Sequence, residues 1–78
     1  MTAPGSIVKH SIVISGHRTS ISLESAFWQA LKALAVKRNL SLAALVAQID
    51  AGRGEANLSS AIRVCVLEAR ISAQQSGY

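Results

Sequence analysis

The stretch Gly16-His17-Arg18-Thr19-Ser20-Ile21-Ser22-Leu23 alternates strictly between side chains of two kinds. A strand sends successive side chains to opposite faces, so Thr19, Ile21 and Leu23 share one face and Arg18, Ser20 and Ser22 the other. The first face suits a core. The second carries a cation and two small hydroxyls. Directly after it, Glu24-Ser25-Ala26-Phe27-Trp28-Gln29-Ala30-Leu31 changes the apolar period from two to helical. The backbone groups of a lone strand have to be paired, so the partner of this strand decides the architecture.

Two partners fit. Ser11-Ile12-Val13-Ile14-Ser15 is rich in β-branched residues and predicts a strand. Gly16-His17 then serves as a two-residue hairpin loop. That hairpin sets Ser15 opposite Arg18, Ile14 opposite Thr19, Val13 opposite Ser20 and Ile12 opposite Ile21. It gathers Ile12, Ile14, Thr19, Ile21 and Leu23 on one face. In the alternative, residues 7–15 form an arm and residues 17–23 pair across a dimer axis.

Three helices follow. Ser22 is the expected N-cap of the first, over residues 23–38, with Phe27, Ala30, Leu31, Leu34 and Ala35 on one face. Lys37 and Arg38 complement the dipole of its last turn, and Asn39 suits the left-handed residue that ends a helix. Ser41 caps the second helix, which runs to about Ala51 with Leu42, Leu45, Val46 and Ile49 as its apolar face. Gly52-Arg53-Gly54 breaks it. The third helix spans about Leu58 to Ala73, capped by Asn57 or Ser59. It carries two apolar stripes, one of Leu58, Ile62, Cys65, Val66 and Ala69, the other of Val64, Leu67 and Ile71. One protomer of this size needs only the first, so the second predicts burial against another chain. Residues 1–6 are expected to be a disordered tail, residues 7–73 the folded domain and residues 74–78 a frayed end.

At 78 residues, half of them apolar, the chain makes one small domain. A core of this size rarely supplies more than about 3–5 kcal/mol. Cys65 is the single cysteine, which excludes an internal disulfide. His10 and His17 lie far from it, without a zinc-ligand spacing. Oligomerisation is the remaining staple. No apolar run approaches the roughly 18 residues of a membrane span, and the first residues do not resemble a signal peptide. A cytoplasmic protein is expected.

The net charge of +4 is placed unevenly. Residues 1–38 hold Lys9, Arg18, Lys32, Lys37 and Arg38 against Glu24 alone. Residues 39–78 balance Arg53, Arg63 and Arg70 against Asp50, Glu55 and Glu68. The excess therefore sits with the strand and the first helix, as suits an anionic partner such as nucleic acid. A basic half that merely keeps the protein soluble is the plainer account. An enzyme is hard to build from four carboxylates, two histidines and one thiol with no pair at a useful spacing. No cofactor or metal is expected.

The order strand, helix, turn, helix resembles the ribbon-helix-helix family of bacterial DNA-binding proteins. The residues that carry the likeness are Gly16 to Glu24, Phe27-Trp28, Leu40-Ser41-Leu42-Ala43-Ala44-Leu45, Ile49-Asp50-Ala51-Gly52-Arg53-Gly54 and Asn57 to Arg63. They are similar to a short, largely uncharacterised subfamily. The resemblance covers about residues 9–71. It implies a mainly α protein with a short N-terminal β-strand or hairpin, forming an intertwined homodimer, with a third C-terminal helix that some members lack. It further implies two strands, one per protomer, lying in the DNA major groove, as a two-stranded ribbon can.

Carried onto this chain, the base contacts are Arg18, Ser20 and Ser22. Ser22 competes for this role with its capping one, and Arg18 with that of an edge-strand arginine that deters aggregation. The phosphate contact is the Ser41-Leu42-Ala43 turn, through helix N-terminal N–H groups, with Lys9 and His10 as flanking clamps. Ile21, Leu23, Phe27, Leu31, Leu45 and Ile49 are the expected dimer core. His17 is expected as a turn residue, Trp28 as packing and Cys65 as a buried, inert thiol. The implied function is a small homodimeric transcriptional regulator bound to double-stranded DNA, with room for higher-order assembly on it. The competing function is an interaction module, or an antitoxin-type autorepressor, that takes a protein partner through the third helix.

Overall fold

A computed structural model of the chain describes residues 5–75. Of the expected tail, residues 1–6, and the expected frayed end, residues 74–78, positions 1–4 and 76–78 lie outside the described residues. The elements run β1 (Ile7–Ile14), β2 (His17–Glu24), α1 (Ser25–Lys37), α2 (Leu42–Gly52) and α3 (Leu58–Gln75).

The strand before α1 finds its partner within the chain. β1 and β2 form a two-stranded antiparallel hairpin, so a single chain makes both strands of the ribbon, where the resemblance implied one from each protomer. The loop is Ser15-Gly16 rather than Gly16-His17. Both residues take positive φ, 51° and 82°, the pattern of a type I′ turn, whose twist matches that of the flanking strands. Glycine is favoured as the second residue of that turn, which draws the loop one residue back. Ile14 consequently faces His17 and Ile12 faces Thr19. The register differs from the expected one by two residues along β1. A shift of two preserves the faces, so Ile12, Ile14, Thr19, Ile21 and Leu23 still point the same way.

The Ser25 amide donates to the Ser6 carbonyl at 2.8 Å, continuing the ladder beyond the last strand pair. This places the hydrogen-bonded pairs at Val8, His10, Ile12 and Ile14. The pairs Lys9–Ser22, Ser11–Ser20 and Val13–Arg18 are then the non-hydrogen-bonded ones, whose side chains stand closest together.

Ser22 does not cap α1. β2 continues to Glu24 because Ile7 pairs with it, and Glu24 occupies the N-cap position without a side-chain cap bond. The far end follows the sequence. Asn39 has φ 57°. The Leu40 amide reaches the Ala35 carbonyl at 2.9 Å and the Asn39 amide the Val36 carbonyl at 3.1 Å, which together make a Schellman motif. Ser41 Oγ accepts from the Ala44 amide at 3.0 Å and caps α2. Asn57 Oδ1 accepts from the Ser59 and Ser60 amides at 2.9 and 3.3 Å and caps α3.

The helices cover the inner face of the hairpin. Ile21, Leu23, Leu31, Leu45, Val46 and Ile62 are fully enclosed, each contributing on the order of 1.5–3 kcal/mol of burial. The core therefore closes within one chain. Four of the six residues expected to form a dimer core, Ile21, Leu23, Leu31 and Leu45, lie in it; Phe27 and Ile49 are half-buried at its margin. Cys65 is half-buried rather than enclosed. Of the two stripes of α3, Ile62 and Val66 enter the core, while Val64, Leu67 and Ile71 stay exposed at 52%, 55% and 44%. Among the described residues no helix is long and apolar enough to cross a membrane.

Candidate nucleic-acid interface

The outer face of the hairpin is a short grid. Lys9, Ser11 and Val13 line β1, and Ser22, Ser20 and Arg18 stand opposite them on β2. All six are exposed. Alternation produces this face, since every residue between them points into the helices. Lys9 and Arg18 are its cations. The carboxylate at its helix-side end, Glu24, is engaged: Arg63 Nε lies 2.7 Å from Glu24 Oε1. That guanidinium, with a backbone hydrogen bond beside it, holds the Glu24 carboxyl below its ordinary pKa. The grid therefore presents positive charge and small hydroxyls, with its one neighbouring anion neutralised.

Arg18, Ser20 and Ser22 all stand on this grid. The two expected phosphate clamps separate. Lys9 points outward beside Ser22, whereas His10 points inward and stacks on Trp28, with ring centroids 3.8 Å apart and planes within 9°. Trp28 is buried, in keeping with its expected packing role. Ser41, Leu42 and Ala43 form the first turn of α2, where Ser41 is exposed and the other two are half-buried. Helix N-terminal amides at such a turn have no partner inside the helix and suit an anion.

Three features were not anticipated from the sequence. Arg63, on α3, pairs with Glu24 at the end of β2. Ser59 Oγ donates to the Ser22 carbonyl at 2.9 Å, tying the start of α3 to the open edge of β2. Val13 belongs to the outer grid. The alternation of β1 was the signal for both Val13 outside and His10 inside. No local pattern signals a contact between residues 39 apart, the separation of Glu24 and Arg63.

The fold is shared with known proteins. A family model described as a ribbon-helix-helix domain matches residues 7–70. No curated protein matches the sequence significantly. Among solved structures, the chain is similar to an uncharacterized protein from Bordetella pertussis Tohama I, with a TM-score of 0.81 and 28% identity. That match covers 94% of this chain and 62% of the other, so the chain spans about three-fifths of that protein's length. From the first residue of the hairpin into the last helix, the chain belongs to the ribbon-helix-helix domain family.

Proposed function

We propose that this protein binds double-stranded DNA as a homodimer and regulates transcription in the bacterial cytoplasm. The observation that carries the reading is the outer grid of the hairpin, with Lys9 and Arg18 exposed and Glu24 neutralised by Arg63. A two-stranded ribbon fits the major groove. Arg18 is assigned the strongest base contact, since a guanidinium bonds bidentately to guanine. Ser20 and Ser22 are assigned shorter contacts beside it. Lys9 and the Ser41-Leu42-Ala43 turn are assigned to phosphates. His10 is left out of that set because its ring is engaged with Trp28.

The exposed stripe Val64, Leu67 and Ile71 supports assembly through α3. The same stripe supports the second reading, in which α3 takes a different protein, as in an antitoxin-type autorepressor.

The experiment is selection of bound duplexes from a random library, followed by titration against salt. Enrichment of a defined site, lost in Arg18→Ala, is the expected result. If roughly four phosphates are neutralised, log affinity falls against log salt with a slope of about −3.6. A flat salt dependence with no enriched duplex overturns DNA binding and leaves the protein-partner reading.

A further inference from the structure

Val13 stands out on the grid. It is 55% exposed, and its neighbours Ile12 and Ile14 supply the apolar face that the fold needs. It sits directly across from Arg18, in a non-hydrogen-bonded pair whose Cα atoms stand about 4.5 Å apart. An aliphatic branch and a guanidinium thus project side by side from one end of the ribbon.

Within the major groove, guanine offers O6 and N7 to a guanidinium, and thymine offers a methyl group to an apolar side chain. The remaining grid residues favour close approach. Ser11, Ser20 and Ser22 are small, so the backbone can settle near the base edges and a side chain as short as valine can reach them. Lys9 and Arg18 supply the charge that complements the duplex.

Resting on the DNA-binding reading above, we propose that Val13 and Arg18 form a two-residue reader of neighbouring thymine and guanine. In this arrangement Val13 sits against a thymine C5 methyl while Arg18 bonds to the guanine edge. This makes Val13, on β1, a specificity-determining residue in addition to the β2 positions.

The test uses the full chain and its selected duplex, with each thymine replaced in turn by uracil, which removes only the methyl. At one thymine beside a guanine, uracil should weaken binding roughly fourfold, the worth of about one buried methyl-sized group. Val13→Ser should abolish that difference. Val13→Asn, which likewise carries no methyl group, covers the case in which Val13→Ser folds poorly; it too should abolish the difference. Three outcomes overturn the proposal. Uracil is tolerated at every thymine although Arg18→Ala loses discrimination, so DNA binding stands and Val13 does not read. The uracil effect persists in Val13→Ser or, where that variant folds poorly, in Val13→Asn. Val13→Ser lowers the mass of the protein assembly, so the face belongs to a second copy. Absence of any enriched duplex overturns both this proposal and the reading beneath it.

Discussion

Arg63, in the second turn of α3, grips Glu24 at the last position of β2, with Nε 2.7 Å from Oε1. One turn earlier, Ser59 Oγ donates to the Ser22 carbonyl on the same strand edge. These two contacts clasp the third helix to the junction where β2 becomes α1. They hold the hairpin at a fixed attitude to the helices, and they withdraw the carboxylate nearest the grid from any repulsion of an anion.

The clasp makes stability depend on acid. The pKa of Glu24 is lowered in the folded chain, first by the hydrogen bond from Arg63. Its contribution is therefore fully present above the unfolded value of about 4.3 and disappears as the pH falls through the lowered folded value. Glu24→Gln should lower the neutral urea midpoint and flatten the acid side of a plot of midpoint against pH by the same amount, leaving the acid midpoint nearly unmoved. An unchanged acid limb would show that the pair contributes nothing.

The two faces of β2 should respond oppositely. Ile21 is fully enclosed, and Ile21→Ala should cost about 2–5 kcal/mol, comparable to the whole stability of a domain this small. Arg18 is exposed on the other face, and Arg18→Ala should stay within about 0.5 kcal/mol. Chemical denaturation followed by circular dichroism separates the two.

The turn can be tested at both of its residues. Gly16 has φ 82° and nothing within 4 Å of where a Cβ would stand. Gly16→Ala should therefore lose about 1–2 kcal/mol through backbone conformation alone. Ser15, at φ 51°, should gain stability as asparagine, which favours this turn. Opposite shifts in melting temperature are expected; two losses would contradict the turn type.

Assembly through α3 predicts a dimer by sedimentation at micromolar protein and a melting temperature that rises with concentration. Because the core closes within one chain, Leu67→Asp should give a monomer that keeps its helical circular dichroism. Loss of helix together with loss of mass would mean instead that folding and association are one event.

Much of this fold was legible in the residues because two periods carry it. Alternation assigned both faces of β2, and helical spacing divided α3 into the stripe that is buried and the stripe that is not. The caps at Ser41 and Asn39 were legible too, since each is a local hydrogen-bonding or backbone preference, whereas for α3 the residues alone left Asn57 and Ser59 both open. The errors lie where tertiary structure overrides a local signal. Ser22 is a good cap by type, yet pairing with β1 carries the strand past it. Gly16 marked the turn, but the identity of its left-handed neighbour depends on where the facing strands settle. The Arg63–Glu24 pair joins the first third of the chain to its last, and no period spans that distance.

The hairpin has one more consequence. A ribbon assembled from two copies of one strand repeats each side chain by symmetry. Here Val13 stands against Arg18 and Lys9 against Ser22, so the grid turned end for end is a different surface. A duplex lying under it would be met with a direction, and the reversed sequence would not be equivalent. If the hairpin does bind a duplex as proposed, the stretch it chooses would be non-palindromic, and a palindrome in a bound site would measure the symmetry of the assembly, not that of the ribbon.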